Sequence, residues 1–212
     1  MQNYKTFSFL KFFAVRKYLI IFLPVILIIV GCMQKIVPIA SQNVIIQEEF
    51  GVIKTEYYDI AIKYQLWNDT PGDVNEYFTT FYLIYRNKSG KSSDIKIESF
   101  ALLDSNNEQY DLFTSGEVVR FMYGDDVDLQ LDYLATFPND SEEVRNSIKN
   151  QINSRTEGIR NIKSKAFSFS PIRAQARKSG YLFFQKIGIK KNSTFKLFFN
   201  DQEIKFQVQK NG

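Results

Sequence analysis

With one cysteine and no histidine, the chain is limited in the chemistry it can do. Cys32 is the sole thiol and stands directly after Ile29, Val30 and Gly31. Serine–histidine–aspartate and cysteine–histidine catalysis both need an imidazole to carry the proton, so neither is open. The usual zinc, haem and iron–sulfur sites draw on the same two residue types and are excluded with them. Carboxylates are plentiful, and the densest group is Gly124-Asp125-Asp126-Val127-Asp128 with Asp132. Calcium needs oxygens gathered around an ion. Strand alternation would instead set Asp126, Asp128 and Asp132 in a row, and the spacing is not that of an EF-hand. A solvated face is expected there, with no metal. No pair of carboxylates stands out for glycoside hydrolysis. The chain calls for no cofactor and is expected not to be an enzyme.

The densest basic region holds Arg173, Arg177, Lys178, Lys186, Lys190 and Lys191, with Tyr181, Phe183 and Phe184 running through it. It is a candidate anionic-ligand patch. Strand aromatics usually belong to a core, so no nucleic acid is expected. Overall charge agrees: Lys5, Lys11, Arg16 and Lys17 account for the whole net charge of +4, and the rest of the chain is neutral. That neutral part is lopsided. Residues 33–144 hold 8 basic and 20 acidic residues, and residues 145–212 hold 15 basic and 3 acidic. Either the two halves interleave and neutralise each other, or the fold carries a dipolar surface whose basic end meets an acidic partner. A protein or an anionic glycan is the partner expected, and an anionic lipid has the same charge.

Cys32 sits at the end of a graded N-terminus. The four early cations are followed by an apolar run from Tyr18 to Val30. A membrane span needs about 20 residues, so this run is too short for one but suits the h-region of a signal peptide. Ile29-Val30-Gly31-Cys32 resembles the lipobox of bacterial lipoproteins. The resemblance implies cleavage before Cys32, acylation of that cysteine with palmitate-type chains, and attachment to a membrane of the bacterial cell envelope. That membrane is expected to be the outer membrane, on its surface-exposed or its periplasmic face. Two acyl chains anchor stably where one does not. With Cys32 lipidated no disulfide can form, so stability must come from the core. The expected layout is a signal peptide over 1–31, a lipidated tether over 32–43, and a β-sandwich domain over 44–212 with an insertion at about 116–160. The tether, interrupted by Pro38, would reach roughly 40 Å.

The elements follow from hydropathy period. Tyr58, Ile60, Ile62, Tyr64 and Leu66 alternate with polar residues, predicting a half-buried strand. Tyr77 to Tyr85 is almost wholly apolar or threonine, which suits a central strand. Further strands are predicted over 95–103, 108–113, 117–123, 127–134, 166–170, 181–187, 194–199 and 203–208. Arg177-Lys178-Ser179-Gly180 reads as a turn. Ser141-Glu142-Glu143, ahead of Val144, Ile148 and Ile152, predicts one amphipathic helix over about 141–155. Trp67, the lone tryptophan, is expected to cap the core. Short strands at these intervals with one helix and no βαβ rhythm predict a mainly β fold, an antiparallel β-sandwich.

Several stretches resemble an immunoglobulin-like domain found in exported bacterial lipoproteins. They are Phe78 to Asn87 with Lys88-Ser89-Gly90, then Ile97 to Asp104 closed by Tyr110, then Arg177-Lys178-Ser179-Gly180-Tyr181-Leu182-Phe183-Phe184, and Thr194-Phe195-Lys196-Leu197. These are the telokin-like domains, some of the immunoprotective-antigen type. Ala176 and Arg177 stand where that pattern carries a glycine, and 116–160 is longer than the pattern. The richness in Ile, Lys, Asn, Phe and Tyr is similar to spirochaetal surface lipoproteins. The resemblance implies an immunoglobulin-like sandwich, an exported location and no catalytic residues. The expected function is a lipid-anchored surface antigen, adhesin or ligand-binding module. The alternative is a periplasm-facing lipoprotein that scaffolds envelope partners.

Overall fold

Apolar side chains at every second position build two antiparallel sheets. The computed structural model describes residues 34–124, 141–190 and 192–210. One sheet is formed by β1 (Gln34–Ile39), β6 (Phe100–Leu103), β7 (Gln109–Tyr110), β10 (Thr194–Phe199) and β11 (Gln202–Lys210), in the order β1-β11-β10-β6-β7. The other is formed by β2 (Ile45–Gln47), β3 (Phe50–Lys54), β4 (Tyr58–Tyr64), β5 (Phe78–Asn87), β8 (Leu112–Phe113) and β9 (Arg177–Gln185), in the order β2-β3-β4-β5-β9-β8. The chain crosses between sheets at Asp111, whose carbonyl accepts from the Gln185 amide at 2.9 Å. Ile36–Val208 form one compact unit.

The core between the sheets takes one face from each. Ile60, Ile62, Phe81, Leu83, Leu182 and Phe184 come from the six-stranded sheet; Leu102, Phe195, Leu197, Ile204, Phe206 and Val208 come from the five-stranded one. Phe81 meets Phe206 edge to face at 5.1 Å, and Tyr58 meets Phe199 at 5.4 Å. A second core lies on the opposite, outer face of the six-stranded sheet. Phe78, Tyr181 and Phe183 on that face pack with Trp67, Val74, Val118 and Ile162. The last three come from helices α1 (Val74–Tyr77), α2 (Ser115–Tyr123) and α3 (Glu142–Lys165). The fold is therefore an antiparallel β-sandwich with an inserted amphipathic helix, mainly β as expected.

Local chemistry explains the helix ends. The Thr114 Oγ1 accepts from the Glu117 amide at 3.2 Å, and the Glu117 carboxylate accepts from the Thr114 amide at 2.7 Å. This reciprocal capping box satisfies two of the helix's orphan donors. Ser141 caps α3, its Oγ accepting from Val144 N at 3.4 Å. Where α3 meets α2, a Cβ at position 158 would meet the Tyr123 hydroxyl, so the glycine lets that ring lie directly against the helix.

Several expectations are corrected. Residues 34–39 are not tether but strand β1; Pro38 is accommodated because β1 lies at a sheet edge, where a missing N–H costs little. Strands β2 and β3 were not foreseen. Residues 117–123 form helix α2, because the Thr114-x-x-Glu117 cap outweighs their aromatic content. The helix over 141–155 runs on to Lys165. Arg177–Gly180 is no turn but the start of β9, held by a long partner, since β5 pairs with β9 from Phe78↔Gln185 to Arg86↔Arg177. Residues 166–170 form no strand; Ala166 makes an isolated parallel bridge to Tyr181 and the Phe167 amide donates to the Tyr181 carbonyl at 2.8 Å. Ile97–Ser99 is a 3-10 turn, so that strand starts at Phe100. Trp67 does not cap the sandwich core; it is buried under the helices in the second one. The strand expected over 127–134, with Asp126, Asp128 and Asp132, lies outside the described residues.

Two outcomes test this packing. At Gly180 an added Cβ would sit 2.5 Å from Phe167 N and 2.7 Å from Ala166 C, backbone atoms that cannot swing away. Gly180→Ala should lose about 1–3 kcal/mol in urea unfolding, whereas Gly188→Ala, which meets nothing within 4 Å, should lose far less. The capping box predicts a pH effect. Hydrogen bonds from the Thr114 amide and hydroxyl hold the Glu117 carboxyl below its ordinary value of 4.5. Its contribution is therefore complete above 4.5 and is lost as pH falls through the lower folded value. The stability difference between the native chain and Glu117→Gln should shrink on acidification.

Candidate functional site

The helices cover only part of the outer face of the six-stranded sheet. The uncovered part is ordered in transverse rows set by strand register. Lys54 pairs with Asp59, Asp59 with Arg86, and Arg86 with Arg177, so four charged residues cross β3, β4, β5 and β9 at one level. Two residues further along each strand lie Val52, Ala61, Ile84 and Ser179. Two further still come Lys63, Tyr82 and Tyr181, with the Lys63 ammonium 5.0 Å from the Phe50 ring centre. The alternate positions Ile53, Ile60 and Tyr85 point into the sandwich core, which fixes the rows on the outer side. Together the charged and apolar rows line an open cleft of about 330 Å³ with Phe50, Gln47 and Glu48.

The charges in the first row are not balanced. Asp59 is taken by Lys88, whose ammonium lies 3.1 Å from the carboxylate and also donates to the Thr55 carbonyl. Arg86 and Arg177 stand directly across from each other, an arrangement that destabilises a sheet by like-charge repulsion. Among the described residues neither guanidinium finds a side-chain hydrogen bond or an ion pair, and both are exposed. Lys54 is exposed at the end of the same row. The cleft thus sets three cations beside an apolar floor of Val52, Ala61 and Ile84.

A buried amide holds the two arginines at the same level. Asn87, fully buried at the end of β5, donates from Nδ2 to the carbonyls of Lys91, Ile172 and Arg173 at 2.7, 3.1 and 3.2 Å. Its Oδ1 accepts from the Ser89 amide and hydroxyl at 3.0 and 2.8 Å. Its backbone N–H donates to the Ala176 carbonyl at 2.9 Å. The loop that leads into β9 is thereby fastened to the residue after Arg86.

The expected basic patch is divided by the fold. Arg177 lines the cleft. Lys178, next along the strand, points the other way and donates to the Ser170 carbonyl and hydroxyl at 2.7 and 2.8 Å; burial pushes its ammonium pKa down. Lys186 donates to the Asn75 carbonyl. Arg173 and Lys190 are exposed on loops, and Lys191 lies outside the described residues. So do Cys32 and the residues Ile29, Val30 and Gly31 before it. Sequence reasoning missed Lys54 and Arg86 because they belong to the acidic half of the chain; the pairing of β5 with β9 sets Arg86 beside Arg177, and the β3–β4–β5 ladder puts Lys54 in the same row. The two halves do neutralise locally, as where Lys165 pairs with Asp69, but at the Arg86–Arg177 step basic meets basic. Among the described residues no three ligating side chains gather to hold a metal ion.

No protein-family model matches the chain, and no match was found among curated proteins or solved structures.

The unbalanced row has a measurable consequence. Arg177→Gln removes the repulsion and should raise the unfolding midpoint at low salt. The gain should fade towards 1 M salt, where the screening length is about 3 Å. A loss of stability at every salt concentration would mean that the guanidinium is held by attractive contacts.

Proposed function

We propose that the chain is a lipid-anchored, non-enzymatic protein of the bacterial cell envelope, an immunoglobulin-like sandwich that binds an acidic ligand on the open face of its six-stranded sheet. The observation that carries the binding role is the row of Lys54, Arg86 and Arg177, solvent-exposed beside an apolar floor. Rigid strands hold these cations, and a site on strands is placed more exactly than one on loops. The anchoring role rests on the basic and apolar N-terminus that ends in Ile29-Val30-Gly31-Cys32. Among the described residues no helix is long and apolar enough to cross a membrane, so an anchor would have to act from outside them. Strand β1 begins at Gln34, which leaves one residue, Met33, between an acylated Cys32 and the sheet.

Growth with an alkyne-bearing palmitate should label the native chain, and Cys32→Ser should carry no label and leave the membrane fraction. Label retained by Cys32→Ser would overturn the anchor. Protease treatment of intact and lysed cells then separates the roles. Digestion in intact cells is expected of a surface antigen or adhesin; digestion only after lysis would remove that role and leave the periplasm-facing scaffold.

A further inference from the structure

We propose that the ligand of this face is a single-chain anionic amphiphile, an acidic head group on one hydrocarbon chain. The proposal deepens the binding role and rests on it. Its ground is the order of the three rows. Arg86 and Arg177 stand across from each other with no ion pair among the described residues, Asp59 beside them being taken by Lys88, and guanidinium groups pair with phosphate or carboxylate through parallel hydrogen bonds. Lys54 adds an ammonium at the far end of that row. One step along the strands the surface turns apolar at Val52, Ala61 and Ile84, beside Ser179, and one step further it carries the Tyr82 ring beside Lys63. From Arg86 back to Tyr82 is four residues, about 14 Å at the rise of an antiparallel strand. A free anion such as inorganic phosphate would use only the first row. A sulfated glycan leaves the apolar step uncovered, whereas a hydrocarbon tail running from the arginines along β5 covers it. The cleft, at about 330 Å³, lies at the small end of ligand sites, which run from about 300 to 1,000 Å³. That suits one chain and not two.

The test uses the full chain in nanodiscs of neutral phosphatidylcholine. The probe is lysophosphatidic acid with a diazirine in its tail, beside a neutral monoacylglycerol carrying the same tail. After irradiation, labelled positions are mapped by peptide mass spectrometry. The acidic probe should label β3 or β5 at Val52 or Ile84, and the neutral one should not. Decyl phosphate below its micelle concentration should displace the label at concentrations about tenfold lower than inorganic phosphate or decanol, since an added apolar contact of this size is worth at least one decade. Arg86→Gln with Arg177→Gln should cut labelling by about tenfold or more, the loss expected for charge-assisted hydrogen bonds. The competition series needs no variant, so a folding defect in the double variant would leave the test intact.

Equal labelling by the neutral probe would overturn the proposal, as would labelling elsewhere on the chain. Displacement by inorganic phosphate as effective as by decyl phosphate would also overturn it, while leaving an anion site on the face. Labelling only by a two-chain diazirine phosphatidic acid held in the bilayer would assign the face to the membrane itself and overturn the single-chain ligand. No labelling by any acidic probe, with no protection by phosphate, would remove both the amphiphile and the binding face.

Discussion

The amide of Asn87 is the constraint on which the arrangement of the six-stranded sheet depends. A buried polar side chain is tolerated only when its donors and acceptors are met, and this one is met by two separate stretches of chain. One is the turn after β5, through Ser89 and Lys91; the other is the loop before β9, through Ile172 and Arg173. The same loop carbonyls also accept from Ser93 N and Ala176 N, so the amide joins a wider network that fastens the loop leading into β9. A slip of one residue would send every β9 side chain to the opposite face. Leu182 and Phe184 would leave the sandwich core, and Tyr181 and Phe183 would leave the helices.

The same ladder explains why one sheet serves two purposes. At their far end β5 and β9 are buried on both sides, with Phe81, Leu83, Leu182 and Phe184 towards the sandwich and Phe78, Tyr181 and Phe183 towards the helices. At their near end the helices stop and the outer side is left to water. The helices therefore owe their place to aromatic side chains on the outer face at the far end.

What could be read in the sequence divides by range. Strands with clean alternation, such as Tyr58 to Tyr64 and Gln202–Lys210, were visible because period two is a local signal. So was the start of α3, whose Ser141 cap and acidic first turn precede it. The Thr114–Glu117 capping box is equally local, and in the fold it prevails over the aromatic content of 117–123. Strand β1 was hidden because an edge strand can carry a proline, and Arg177–Gly180 because four residues of turn composition were overruled by nine residues of partner strand. The candidate site was legible in one residue, Arg177. Arg86 and Lys54 lie 91 and 123 positions away, in a part of the chain whose composition points to the opposite charge. Charge counted along the chain cannot reveal charge gathered across a sheet.

The graded outer face has an electrostatic consequence of its own. An anion resting on the arginines has protein on one side and bulk water on the other, so its attraction is partly screened. Any apolar group that settles on Val52, Ala61 and Ile84 displaces water from beside that anion and lowers the local dielectric constant. Head and tail of one occupant would then reinforce each other beyond their separate contributions, and the face would discriminate by the solvent an occupant excludes as much as by the charge it carries.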